Sequence, residues 1–208
     1  MQYNRYLDYR SSTRLPRHDY TAPGSYLITV CTFERETSLG EISKDEISLS
    51  EIGTAARECW LEIPDHFEYV ELDVFQIMPD HIHGILRVNR FVGTRHAVSQ
   101  PPHEQFGKPV SGSIPTVIRS FKSAATKAVN EMRGTPGNSV WQPGFYEHII
   151  RSDAELYRLR SYIRHNVRIW DEKPNIAKGW KLHRCASLPL HRQPRSFEAG
   201  EVETKATP

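Results

Sequence analysis

Cysteine is nearly absent: Cys31, Cys59 and Cys185 are odd in number, far apart and without a C-x-x-C pair. That pattern excludes a disulfide framework and a thiolate zinc site, and makes a reducing cytoplasm the expected home. No stretch approaches the roughly 18 consecutive apolar residues of a membrane span. The opening segment from Met1 to Pro16 is polar and arginine-bearing, unlike a secretory signal. Nor does one sign of charge dominate, since 27 Lys and Arg stand against 25 Asp and Glu for a net charge of +2. The total therefore singles out no partner. There is no G-x-x-x-x-G-K-[ST] loop to cradle a nucleotide and no H-E-x-x-H zinc motif. Internal repeats are also missing. A soluble intracellular protein is expected.

What is present fits a globular chain: 38% hydrophobic and 25% charged residues among 208. A domain of this size buries roughly 70% of its unfolded surface and needs no staples. Charge is unevenly placed. From Arg151 to Arg195 the chain carries Arg158, Arg160, Arg164, Arg168, Lys173, Lys178, Lys181, Arg184 and Arg192 against few acids. Such a run suits a polyanion, although many basic faces are merely solvated.

Tyr26 to Phe33, β-branched and aromatic after Pro23-Gly24, reads as a strand. Glu41 to Leu49 reads as a small hairpin turning at Ser43 to Glu46. Ser50 is placed to cap a helix reaching about Ile63, which Pro64 is expected to close. Two strands follow back to back, Val70 to Met78 and His81 to Val88, turning at Pro79-Asp80. Asn89 to Gly112 is rich in Pro, Gly, Ser and His and reads as a loop. Ile114, Val117, Ile118, Phe121, Ala124, Ala125, Ala128, Val129 and Met132 form a helical apolar stripe ended by Gly134. Ser139 to Arg151 is an aromatic-rich strand interrupted at Pro143-Gly144. Ser152 and Glu155 make a capping box for a last helix to about Trp170. The order predicts an α+β fold: a ferredoxin-like split βαβ antiparallel sheet with an added C-terminal helix. Residues 1–170 form the expected domain and 171–208 a basic, partly disordered extension. That fold serves RNA-binding modules and nucleases alike, so it decides no function.

His81 and His83, two apart on a strand, point the same way while Ile82 faces the opposite layer. Two imidazoles so placed can converge on one divalent cation, but they need a further ligand to make a site. Alone, an H-x-H pair among ten histidines is ordinary. Tyr162, on the last helix, falls on one flank of a buried stripe of Leu156, Leu159, Ile163, Val167 and Trp170, with Asn166 one turn on. Arg160, Arg164 and Arg168 line the opposite flank. A lone tyrosine at a core edge is most often packing detail. Tyr157 points about 140° away from Tyr162 at helical spacing and serves as an internal control.

Taken together, these residues resemble the REP-associated tyrosine transposases, relatives of single-tyrosine insertion-sequence transposases of the HUH class. The resemblance runs from about Leu15 to Trp170. It is carried by R-L-P-R-H-D-Y, P-G-S-Y-L-I-T-V-C-T, F-Q-I-M-P-D-H-I-H-G-I-L, V-W-Q-P-G-F-Y-E-H-I-I-R and Y-I-R-H-N. It implies His81, His83 and Asn166 as ligands of Mg²⁺ or Mn²⁺ and Tyr162 as nucleophile. The reaction implied is cleavage and rejoining of single-stranded DNA beside imperfect palindromic hairpins, through a 5′-phosphotyrosine ester. A monomer is expected, with a dimer acting in trans as the alternative. Relatives commonly have Asn-Pro where this chain has Asn166-Val167, a difference that lets the helix run on.

Phosphate contacts fall to Arg160, Arg164, Arg168 and the basic extension, and to Lys122 and Lys127 on the polar side of the long helix; solvated lysines are the plain alternative. Trp141, Phe145 and Tyr146 suit base stacking or, more commonly, the core. His148 reads as a satisfied strand histidine. Two other functions stay open. A non-catalytic nucleic-acid-binding module would use the same sheet with solvent-facing aromatics. A metal-dependent phosphodiesterase would use activated water and leave Tyr162 incidental.

Overall fold

In the computed structural model, which describes residues 15, 18–90 and 110–171, four strands make one antiparallel sheet. They are β1 (Gly24–Cys31), β4 (Val70–Met78), β5 (His81–Val88) and β6 (Tyr146–Ile150), in the order β4-β5-β1-β6. The hairpin β2 (Gly40–Ser43) and β3 (Glu46–Leu49) stands apart as a two-stranded sheet. Helices α1 (Glu51–Leu61), α2 (Ile63–His66), α3 (Ile114–Arg133) and α4 (Asp153–Asp171) complete the fold. This is the expected α+β arrangement, with β1 and β5 central.

Alternation along the strands divides the molecule into layers. One sheet face buries Tyr26, Ile28 and Val30 of β1 with Ile82, Leu86 and Val88 of β5 against Trp60 of α1 and Ile118, Phe121 and Ala125 of α3. The other buries Leu27 and Ile85 against Leu159 and Ile163 of α4, with Val74, Ile150, Leu156 and Tyr162 at its margin. Both faces of β5 are thus covered, and residues 81–86 are all buried.

Local signals explain most of the ends. Ser50 Oγ accepts from the Gly53 amide at 3.0 Å and starts α1. Gly134 takes a left-handed φ of 63° and stops α3. Lys44 and Asp45 both have positive φ, as a two-residue hairpin turn requires. Two expectations are corrected. Pro64 does not end the helical path; it sits in the first turn of α2, where a missing N–H costs nothing. Ala124 and Met132 lie in the apolar stripe yet are exposed, because the stripe is wider than the sheet surface beneath it. Residues 91–109 of the expected loop and 172–208 of the expected extension lie outside the described residues.

Strand β4 slips register between Leu72, opposite Leu86, and Phe75, opposite Gly84. Two residues, Asp73 and Val74, therefore oppose the single Ile85. This β-bulge turns both toward α4. Gly84, beside it, allows Trp60 to close on the sheet: a Cβ there would overlap the indole ring and crowd Phe75. Gly84→Ala is expected to cost about 1–3 kcal/mol through overpacking. Urea unfolding would show the midpoint falling, whereas an unchanged midpoint would mean that Trp60 moves aside freely.

Candidate active site

The pleat of β5 aims His81, His83 and Ile85 at the α4 side of the sheet, and the register sets Cys31, Thr29 and Leu27 of β1 beside them. Gln76 and Met78 flank the two histidines from β4. The imidazole centroids of His81 and His83 are 4.4 Å apart, and the side chains are almost fully buried. Each ring is fixed through Nδ1. His81 Nδ1 lies 2.5 Å from Asp80 Oδ1, and His83 Nδ1 lies 2.7 Å from Thr29 Oγ1. Asp80 is wholly buried, and its second oxygen lies 2.9 Å from Arg35 Nε, close enough to pair as ions though too bent for a hydrogen bond.

Helix α4 brings the remaining groups. The ring of Tyr162 meets His83 at 5.7 Å and that of Trp170 meets His81 at 5.8 Å. Asn166 lies between them on the same helical face, one turn from each. It is buried, and its Nδ2 has no hydrogen-bond partner. An unsatisfied buried donor costs about 1–3 kcal/mol; a cation would be met by the amide's other atom, the carbonyl Oδ1. The helix runs on through Val167, as the absence of a proline allows. Tyr157, the control, is 74% exposed.

Electrostatics keep both imidazoles neutral. Burial pulls His81 below its ordinary value, with Arg35 adding to it and Asp80 opposing it. Burial, then the charges of His81 and Arg35, hold His83 well below. Neutral rings committed through Nδ1 keep their Nε2 lone pairs for coordination. With the amide of Asn166 they form an uncharged N,N,O set that fits a divalent cation. Among the described residues no group of three His, Cys, Asp or Glu side chains comes together to hold a metal. A cation here therefore depends on Asn166.

The basic residues separate. Arg160 is engaged with Asp73 through both Nε and Nη2, and Arg168 reaches Asp45 at 3.3 Å. Arg164 is exposed. Lys122 is half-buried and donates to the carbonyls of Gln142 and Gly144 at 2.6 and 2.8 Å. Burial pulls its ammonium down to about 8, against a weaker opposing effect of Cys31. It staples the loop before β6 and is not a free phosphate contact. Lys127 is exposed, 3.9 Å from Glu131. Trp141 packs in the core against Phe121, and His148 Nε2 pairs with Glu155 at 2.7 Å. Sequence reasoning passes over Asp80, Thr29 and Arg35. Asp80 had a signal, a carboxylate immediately before H-I-H; Thr29 and Arg35 needed the strand register.

Two outcomes follow. Lys122→Met is expected to cost about 1–3 kcal/mol by stranding carbonyls, and Lys127→Met less than about 0.5 kcal/mol, in denaturant unfolding. Because the folded-state values of His81 and His83 lie below those of the unfolded chain, the unfolded state binds more protons. Their contribution is complete above about pH 6.5 and is lost as pH falls toward the folded values. In metal-free buffer, His83→Asn should flatten that loss, and an equally steep decline would mean that His83 is not the group responsible.

No family-level sequence model matches the chain. An uncharacterized protein of Haemophilus influenzae is 32% identical over 173 residues, which is 82% of this chain and 95% of the relative. Among solved structures, that of a REP-associated tyrosine transposase bound to a REP hairpin aligns with 94% of this chain and 99% of its own, at 19% identity and a TM-score of 0.51. Among the described residues no helix is long and apolar enough to cross a membrane. The chain belongs to one family with the Haemophilus influenzae protein, and its fold is that of the REP-associated tyrosine transposase.

Proposed function

We propose that this protein cleaves and rejoins single-stranded DNA by transesterification, with Tyr162 as nucleophile. The observation that carries the reading is the convergence of a tyrosine and a buried amide from one helix with two neutral imidazoles from one strand. In the reaction the Tyr162 Oη–phosphorus bond forms and the bond from phosphorus to the 3′-oxygen breaks. The phenol gives up its proton and the departing 3′-oxygen ends protonated. The 5′-phosphotyrosine ester keeps the energy of the broken linkage, so rejoining needs no nucleotide. By the reverse path a second 3′-hydroxyl attacks the phosphotyrosine phosphorus: a new phosphodiester forms, the Oη–phosphorus bond breaks, and Tyr162 leaves and regains its proton.

His81, His83 and Asn166 would hold Mg²⁺ or Mn²⁺, which polarises the scissile phosphate and stabilises its developing charge. Thr29 and Asp80 orient the two rings, and burial keeps them unprotonated. An uncharged ligand set leaves the cation's charge for the phosphate. A phenol has an ordinary value near 10, so activation at neutral pH must come from this setting. DNA with an imperfect hairpin is the substrate class that the fold relationship suggests, and Arg164 is an exposed cation of α4 suited to a phosphate contact.

The covered sheet speaks against a binding module that uses an open β-surface. Such a module stacks bases on exposed strands, whereas residues 81–86 of the central β5 are buried on both sides. End-labelled single-stranded DNA from around the protein's own gene, incubated with Mg²⁺ or EDTA and run on a denaturing gel, tests the proposal. A metal-dependent covalent adduct is expected in the native protein and in Tyr157→Phe, and none in Tyr162→Phe. Metal-dependent cutting that survives Tyr162→Phe would make water the nucleophile.

A further inference from the structure

Two arginines flank the nucleophile at two positions along α4, and the one before it, Arg160, is tied to the sheet. Arg160 Nε lies 2.9 and 3.1 Å from the two oxygens of Asp73, and Nη2 adds a third bond to Oδ2. Asp73 exists in this place because of the β4 bulge, which gives the α4 side two residues where a regular strand would give one. Its carboxylate is largely buried and also accepts from the Val74 amide at 2.7 Å. Burial pushes this carboxyl up, but the Arg160 hydrogen bonds, the Val74 amide and the charges of Arg160 and Arg87 together hold it below its ordinary value. A planar fork on a carboxylate fixes orientation as well as distance.

Arg160 and Tyr162 stand about 200° apart around α4, on opposite flanks of the stripe that contacts the sheet. A bond on one flank therefore resists rolling of the helix about its axis, and rolling is the motion that shifts the other flank. At a side-chain radius of about 6 Å, a roll of about 10° displaces a group by about 1 Å. A misplacement of that size costs on the order of 100-fold in rate. The stripe itself offers little resistance, because Leu159 and Ile163 meet Leu27 and Ile85 through contacts without direction.

We infer that Arg160 and Asp73 are a positioning pair that sets the rotation of α4 and so the approach of Tyr162 to the His81–His83 site, and that Arg160 is not a DNA contact. The inference rests on the proposed transesterase reading for its kinetic consequence, but the placement of Tyr162 against His83 is testable without DNA. The pair differs from a surface ion pair in lying across 87 residues of sequence on a partly buried carboxylate.

The experiment uses the full chain and its Asp73→Ala, Arg160→Ala and double Ala variants, with the charge-reversed pair Asp73→Arg/Arg160→Asp. Adduct formation is followed at saturating concentration of one hairpin-bearing single-stranded oligonucleotide from the gene's flank, and affinity for it over a range of salt. The imidazole proton signals of His83, assigned with Tyr162→Leu, report ring contact without any reaction. The expected result is a rate lowered about 10- to 100-fold in either single variant and no lower in the double. Affinity and salt slope stay unchanged, the His83 signal moves toward its Tyr162→Leu position, and the reversed pair recovers rate and signal. Two results would overturn the inference: a His83 signal unmoved in both single variants, or Arg160→Ala weakening DNA binding with a salt slope smaller by about one while Asp73→Ala keeps the native rate. If the native protein forms no adduct, the transesterase reading falls, and the His83 signal alone decides the pair.

Discussion

The period of two along β5 is the constraint on which the rest depends. This strand lies inside the sheet with a layer on each side, so every residue must suit one of two buried environments. Ile82, Gly84 and Leu86 answer to α1 and α3, and His81, His83 and Ile85 answer to α4. Placing two imidazoles inward removes them from water, which keeps them neutral. It also requires partners for their ring nitrogens, and Thr29 and Asp80 supply them. A slip of one residue would turn the histidines into the main core and Ile82 into the site. The apolar demand of the α1–α3 layer therefore fixes the site's register.

The second half of the site comes from α4, whose contact with the sheet is small. Its apolar anchor is Leu159 and Ile163 on Leu27 and Ile85. Polar ties hold the helix along its length: His148 to Glu155 near the start, Arg160 to Asp73 in the middle, and Arg168 to Asp45 of the hairpin turn near the end. Glu155 also accepts from the Arg151 amide, while its own amide donates to Ser152 Oγ, so the capping box is met with the carboxylate one residue early. A helix attached in this manner is fixed by directional contacts more than by packing. That suits the proposed role of Tyr162, which would carry a covalently bound strand end and later release it.

Much of this architecture was legible in the sequence. The strand pair around Pro79-Asp80, the hairpin turn at Ser43 to Glu46, the cap at Ser50 and the stop at Gly134 each rest on chemistry within a few residues. The stripe of α4 and the flank shared by Tyr162 and Asn166 followed from spacing alone. What stayed hidden depends on register or on distant charges. The bulge at Asp73 and Val74 leaves no local mark, so the partner of Arg160 could not be seen and the arginine read as a phosphate contact. Lys122 looked like a surface lysine on the polar side of a helix, because the carbonyls it holds belong to a loop 20 and 22 residues later. Pro64 read as a stop because a proline in the first turn of a new helix looks the same in sequence as one that ends the old.

The central claim is that Tyr162 itself becomes bonded to DNA, and the sequence allows that residue to be identified directly. Trypsin cuts after Arg158, Arg160 and Arg164, so Tyr162 falls in Ser161–Arg164 and Tyr157 in Ser152–Arg158. Protein incubated with Mg²⁺ and single-stranded DNA would be treated with nuclease, digested and analysed by mass spectrometry. The account predicts a nucleotide phosphate on the Ser161–Arg164 peptide that disappears when EDTA replaces the metal. Cleaved DNA accompanied by an unmodified Ser161–Arg164 peptide would contradict it.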